Sequence, residues 1–212
     1  MPDLHSLIES DLTDYYRQRA DDPDRAVRVG WRDGDAQRRR FDQLIKVISH
    51  GRDERFSVAD IGCGLGDFSI FLEEVGYANV DYRGYDRSAS MVDAASVLHP
   101  NCKFTQVEDV ADAEPADYFV ASGIFSGIFD ISPAAWTRYI LDTLAVMDAR
   151  SGSGFAFNAL TKYSDPPLMK PELFYADPCM LFDYCKTHFS RNVALLHDYD
   201  EYDFTIIVRK AG

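Results

Sequence analysis

Three glycines in five residues, Gly62, Gly64 and Gly66, constrain this chain more than any other feature. Before them runs a short apolar stretch, 57–61, which reads as a strand. After them Phe68, Phe71, Leu72 and Val75 recur at helical spacing. A strand that turns through glycines into a helix is the opening of an α/β unit. Glycine there accepts positive φ and lets backbone come close to a ligand. A dinucleotide fingerprint, G-x-G-x-x-G, needs glycine at its sixth position. Counted from Gly62, that position is Asp67. An anion at the helix start competes with a bound phosphate for the positive end of the helix. The loop is therefore poorly built for a pyrophosphate.

The same alternation continues down the chain. Strands are expected at 79–85, 102–107, 117–122, 155–160, 193–197 and 203–209. Helices carry Met91, Ala94, Ala95 and Leu98, then Trp136, Ile140, Leu144 and Met147, then Leu181, Phe182 and Cys185. The last two of these open with Ser132-Pro133 and Asp177-Pro178, a cap residue followed by proline at the first helical position. Alternating elements predict a mostly parallel sheet covered on both faces. A parallel crossover needs a dozen or more residues. The final two strands are joined by fewer, so they must be antiparallel. The fold class expected is α/β, a seven-stranded, mostly parallel sheet with the final strand reversed. Ligands of such sheets bind beyond the carboxyl ends of the strands.

Ahead of this unit lie a helix with Leu4, Leu7, Ile8, Leu12, Tyr15 and Tyr16 on its spacing and a loop rich in charge and glycine. A further helix is expected over 35–50. Residues 1–34 are expected to form a helical lid and 35–212 the ligand-binding domain. Lys and Arg number 22 against 35 Asp and Glu, a net charge of −13. That acidity disfavours phosphate backbones and anionic lipid as partners. No apolar run is long enough to span a bilayer, and Asp3, Glu9 and Asp11 stand where a signal peptide needs basic and apolar residues. A cytoplasmic protein is expected. Cys63, Cys102, Cys179 and Cys185 form no CxxC pair and are expected to be buried and unpaired.

Asp60-x-Gly62-x-Gly64-x-Gly66 after a strand resembles motif I of the class I S-adenosylmethionine-dependent methyltransferases. The resemblance extends over about residues 40–212. It implies a Rossmann-like sheet and S-adenosylmethionine as cofactor, held by Asp60, Gly62, Cys63, Gly64 and Gly66. Asp86, twenty residues after Gly66, stands where such a site places its ribose acceptor. Asp109 and Val110 match the positions that meet the adenine, although Glu108 replaces the usual preceding glycine. Arg87 and Met91 are expected to cover the ring, and Ser122, ending the fourth strand, to border the methionine part. In the N-terminal segment Tyr16 and Trp31 are expected cofactor contacts, with Tyr15, Arg19 and Arg32 nearby.

Methyl transfer from a sulfonium is an in-line displacement, driven mainly by alignment. A general base is needed only for a hydroxyl or a protonated amine. His197 is the candidate base. Phe125, Phe129, Asn158, Tyr163 and Tyr199 are the candidate walls of an aromatic acceptor pocket, with Tyr202 beside them. Asp165-Pro166-Pro167-Leu168 lacks the aromatic of the amide- and amine-directed motif and follows the wrong strand. No acidic pair ends the fourth strand, so a metal is not expected. The expected function is methyl transfer to a small-molecule acceptor, O- or N-directed, by a monomer or homodimer. A cofactor-binding regulator without turnover, a protein methyltransferase and a nicotinamide dehydrogenase stand as alternatives.

Overall fold

The computed structural model describes residues 33–128 and 131–210. Of the expected N-terminal lid, residues 1–32, with Tyr16 and Trp31, lie outside the described residues, as does Phe129, while Asp33 and Gly34 are the cap and the opening residue of the first helix. Helix α1 (Gly34–Leu44) comes first, capped by Asp33, whose carboxylate accepts from the Ala36 N–H at 2.7 Å. It is shorter than the expected 35–50. The β-branched run Ile45, Val47, Ile48 leaves the α-helix for a 3-10 turn over Ile45–Val47. Branched side chains lose χ1 freedom in a helix, and here they bury Val47 instead.

Then strand and helix alternate: β1 (Phe56–Ile61), α2 (Asp67–Glu74), β2 (Val80–Asp86), α3 (Ala89–Leu98), β3 (Lys103–Gln106) and β4 (Ala116–Ala121). There follow α4 (Pro133–Arg150), β5 (Ser151–Leu160), α5 (Pro178–His188), β6 (Asn192–Leu196) and β7 (Asp203–Arg209). Ser132 caps α4 and Asp177 caps α5, each with proline next. The seven strands lie in the order β3-β2-β1-β4-β5-β7-β6. All pairings are parallel except those of β7, which runs against both β5 and β6. The sheet is therefore the one the alternation predicts.

Side-chain alternation along the strands gives the sheet two apolar faces. On one, Phe119, Phe155, Phe157, Phe204, Ile206 and Val208 pack against Trp136, Ile140 and Leu144 of α4 and Leu181 of α5. On the other, Val58, Tyr118, Ala156 and Ile207 pack against Phe41 and Leu44 of α1 and Phe68, Phe71 and Leu72 of α2. Strand order switches direction between β1 and β4, so the crevice at their carboxyl ends is where a ligand fits.

Candidate active site

The loop after β1 is held by β2. Gly62 N–H and Cys63 N–H donate to the Tyr85 carbonyl at 2.7 and 3.1 Å. Gly62, Gly64 and Gly66 all have φ between 54° and 77°. At Gly62 a Cβ would also lie 2.2 Å from the Ile124 side chain, so the loops after β1 and β4 touch through a hydrogen atom. Gly84 shows a second signal that spacing alone does not reveal. A Cβ there would meet Phe104 at 2.5 Å and the Cys63 sulfur at 2.8 Å.

Asp86 ends β2 and faces this loop. One carboxylate oxygen accepts from Gly64 N–H at 2.9 Å and the other from Ser88 N–H at 2.9 Å. Burial raises its pKa, and the backbone donors Ser88, Gly64 and Arg87 oppose that shift. Three backbone donors leave the carboxylate, with about four lone-pair sites, room to accept from a ribose hydroxyl. This remaining acceptor capacity fits the ribose of an adenosyl group. Ser88 Oγ meanwhile caps α3 through Met91 N–H.

Asp60 lies deeper. It is buried, and the Tyr82 hydroxyl donates to it at 2.6 Å. Burial pushes its pKa up to about 7, the Tyr82 bond pulls it back, and the charges of Asp86 and Asp67 add to the rise. Tyr82 was not expected as part of the site; only its place two residues before Gly84, on the same strand face as Asp60, signals it. Burial also pushes the Cys63 thiol up, with Asp86 and Asp60 adding to it, so the sulfur beside the loop stays neutral.

At the end of β3, Asp109 caps the 3-10 turn Val110–Asp112 through Ala111 N–H at 2.8 Å. Met91 is buried on α3, and the Arg87 guanidinium lies 5.9 Å from the Tyr139 ring centre. Ser122 follows β4 directly. The pair Ile61–Ala121 sets it beside Gly62, where both strands leave the sheet. Asp60, Gly62, Cys63, Gly64, Gly66, Asp86 and Ser122 thus meet around the β1–β4 crevice, with Arg87, Met91, Asp109 and Val110 on its β2–β3 side.

The expected acceptor residues scatter more widely. Phe125 is wholly buried, edge-on to Phe157 at 5.7 Å, and its carbonyl accepts from the Trp136 indole at 3.0 Å. Asn158 is also wholly buried, bonded to the β4 exit. Tyr199 is half-buried, its hydroxyl 3.0 Å from Thr205 Oγ1, and burial raises its pKa. Tyr163 is 59% exposed and lies 6.2 Å from His197, ring centre to ring centre. His197 is exposed at the end of β6. Three strand spacings separate β6 from β4, about 14 Å. The loop after β5 bends over the loop after β4, with Phe174 N–H donating to the Ser126 carbonyl at 2.8 Å. Cys63 and Cys185 are buried and all four cysteines are free, but Cys179 is exposed as the second residue of α5, where the apolar stripe has not begun. Among the described residues no helix is long and apolar enough to cross a membrane.

The chain is 46% identical over 160 residues to "Putative methyltransferase Rv1506c" of Mycobacterium tuberculosis (strain ATCC 25618 / H37Rv), covering 74% of this chain and 95% of that one. It matches no protein-family model. Among solved structures, magnesium protoporphyrin IX methyltransferase from Synechocystis PCC 6803, with bound SAH, superposes with a TM-score of 0.66 at 14% identity, over 98% of both chains. Human N-acetylserotonin methyltransferase with SAM gives 0.58 at 13% identity, over 81% of this chain and 52% of that one. Mycolic acid cyclopropane synthase gives 0.59 at 14%, over 92% and 78%. With the sheet order, the glycine loop and this relative together, the chain belongs to the class I S-adenosylmethionine-dependent methyltransferases.

Proposed function

We propose that the chain transfers a methyl group from S-adenosylmethionine to a small-molecule acceptor, at oxygen or nitrogen. The observation that carries this is Asp86, a buried carboxylate bonded to the glycine loop at 2.9 Å with acceptor capacity left for a ribose diol. The loop and Asp60 would hold the rest of the donor, with Asp109, Val110, Arg87 and Met91 toward the adenine. Tyr16 and Trp31 remain in this proposal as cofactor contacts.

S-adenosylmethionine supplies a methyl on a positive sulfur. The chain supplies orientation, and a crevice that keeps water from the line of attack. A small acceptor is supported by two structural neighbours, a magnesium protoporphyrin IX methyltransferase and an N-acetylserotonin methyltransferase. The wide scatter of aromatic candidates leaves Tyr163 and Tyr199 as outer contacts. His197 is left out of the proposal as a base, given its exposure and its distance from β4.

Calorimetric titration tests the donor: S-adenosylmethionine and S-adenosylhomocysteine should bind and NADH should not. A screen of hydroxyl- and amine-bearing metabolites, read by release of S-adenosylhomocysteine, then tests transfer. Binding with no turnover for any acceptor would favour a cofactor-binding regulator instead.

A further inference from the structure

Asn158 is a costly residue to place where it is. It sits on β5 between Phe157 and Ala159, and its side chain is wholly buried. A buried amide must be hydrogen-bonded or it destabilises the fold. Both of its bonds go to the β4 exit. Gly123 N–H donates to Asn158 Oδ1 at 2.8 Å, and Asn158 Nδ2 donates to Ser122 Oγ at 3.0 Å.

The order of those bonds is forced. A backbone N–H can only donate, so the amide turns its oxygen to Gly123 and its nitrogen to Ser122. Ser122 Oγ therefore accepts, and its own proton points away from Asn158. Among the described residues no acceptor takes that proton. Ser122 is half-buried and sits beside Gly62 at the crevice. Gly123 N–H, at the left-handed turn with φ 79°, is consumed by the amide and withheld from a ligand.

We propose that Asn158 is a positioning residue which sets the polarity of the β4 exit, presenting Ser122 O–H as a donor to the carboxylate of the cofactor's amino-acid part. This rests on the methyl-donor proposal above. With the ribose at Asp86 on β2, the amino-acid part extends across β1 toward β4. Of its two charged groups only the carboxylate accepts a hydrogen bond; the ammonium can only donate.

The test compares two probes, S-adenosylhomocysteine and methylthioadenosine, which lacks the amino-acid part. Asn158→Asp is nearly isosteric. It keeps an acceptor for Gly123 N–H but offers no donor to Ser122, so the hydroxyl turns inward. Ser122→Ala removes the donor outright. Each variant should weaken S-adenosylhomocysteine about tenfold or more, as loss of a hydrogen bond to a charged group does. Neither should shift methylthioadenosine by more than about twofold. The double variant should be no weaker than the weaker single one, because both changes delete one interaction.

Equal losses for both probes would mean that Asn158 only shapes the loop, and would overturn the proposal. So would additive losses, which would point to plain charge repulsion, or no loss at all. If the buried carboxylate prevents folding, Asn158→Leu, similar in size and without a donor, takes its place in the same comparison of single and double variants. Failure of the unaltered protein to bind S-adenosylhomocysteine would overturn the methyl-donor proposal and this one with it. Binding there, with unchanged variants, would overturn this one alone.

Discussion

Two carboxylates twenty-six residues apart in sequence differ in character beside the glycine loop. Asp86 spends one lone pair on each side to fix the glycine loop and the start of α3. Asp86→Ala should weaken S-adenosylmethionine about ten- to hundredfold while the fold survives, because a doubly bonded acceptor is lost. Titration of the folded variant checks this, and unchanged affinity would remove Asp86 from the ribose. Asp60 has the opposite character, since burial favours its neutral form up to about pH 7. An unfolded Asp releases its proton near pH 4. Between those values the folded state binds more protons, so this group's contribution falls as pH rises from about 4 to 7 and stays lost above. Asp60→Asn is neutral throughout and can keep the Tyr82 bond. It should therefore gain on the unaltered protein from pH 5 to pH 8, by about 2–3 kcal/mol. Urea unfolding at both pH values measures the gap, and a constant gap would mean that Asp60 is ionised across the range.

At the level of elements, α1 is tied to the far end of the sheet by charge as well as by Phe41 and Leu44. The buried Arg40 guanidinium bonds Asp203 at the start of β7 and reaches Glu201 at 3.2 Å, while Arg39 reaches Glu201 at 2.6 Å. Asp203 is wholly enclosed. Arg40→Ala strands that carboxylate and should cost about 3–5 kcal/mol. Adding Asp203→Asn should return part of the loss, since a neutral amide is easier to bury than an unpaired charge. Denaturant midpoints of the two variants give the comparison. Sequence periodicity reveals α1 through its apolar stripe, but not this anchor. Arg40 and Asp203 are 163 residues apart, and a charged residue in sequence reads as solvated until its partner is known.

For the whole molecule, both apolar clusters draw, among the described residues, on Phe41 and those after it. A chain beginning at residue 33 should therefore unfold in one cooperative transition. It should also bind S-adenosylhomocysteine more weakly than the full chain if Tyr16 and Trp31 contact the cofactor. Thermal unfolding and titration of the two chains check both halves. Equal affinity would remove those two residues from the site. At this scale the sequence was most legible. Alternating strand and helix patterns predict the sheet and its two covered faces, because each pattern follows from local backbone geometry, and the short final connection predicts the reversed strand. The glycine spacing likewise locates the tight loop after β1 that is proposed for the cofactor, since positive φ is a local demand on a single residue.

What the sequence by itself determined is therefore the set of elements, their class and the glycine loop at the carboxyl end of β1. The tertiary structure decided which polar side chains act together. It paired Tyr82 with Asp60, gave the Asn158 amide to the β4 exit and turned Phe125 into the core. It also set His197 about three strand spacings from β4. Each of these depends on register between strands distant in the chain. Register is fixed by the packing of whole faces against helices, which no local pattern encodes.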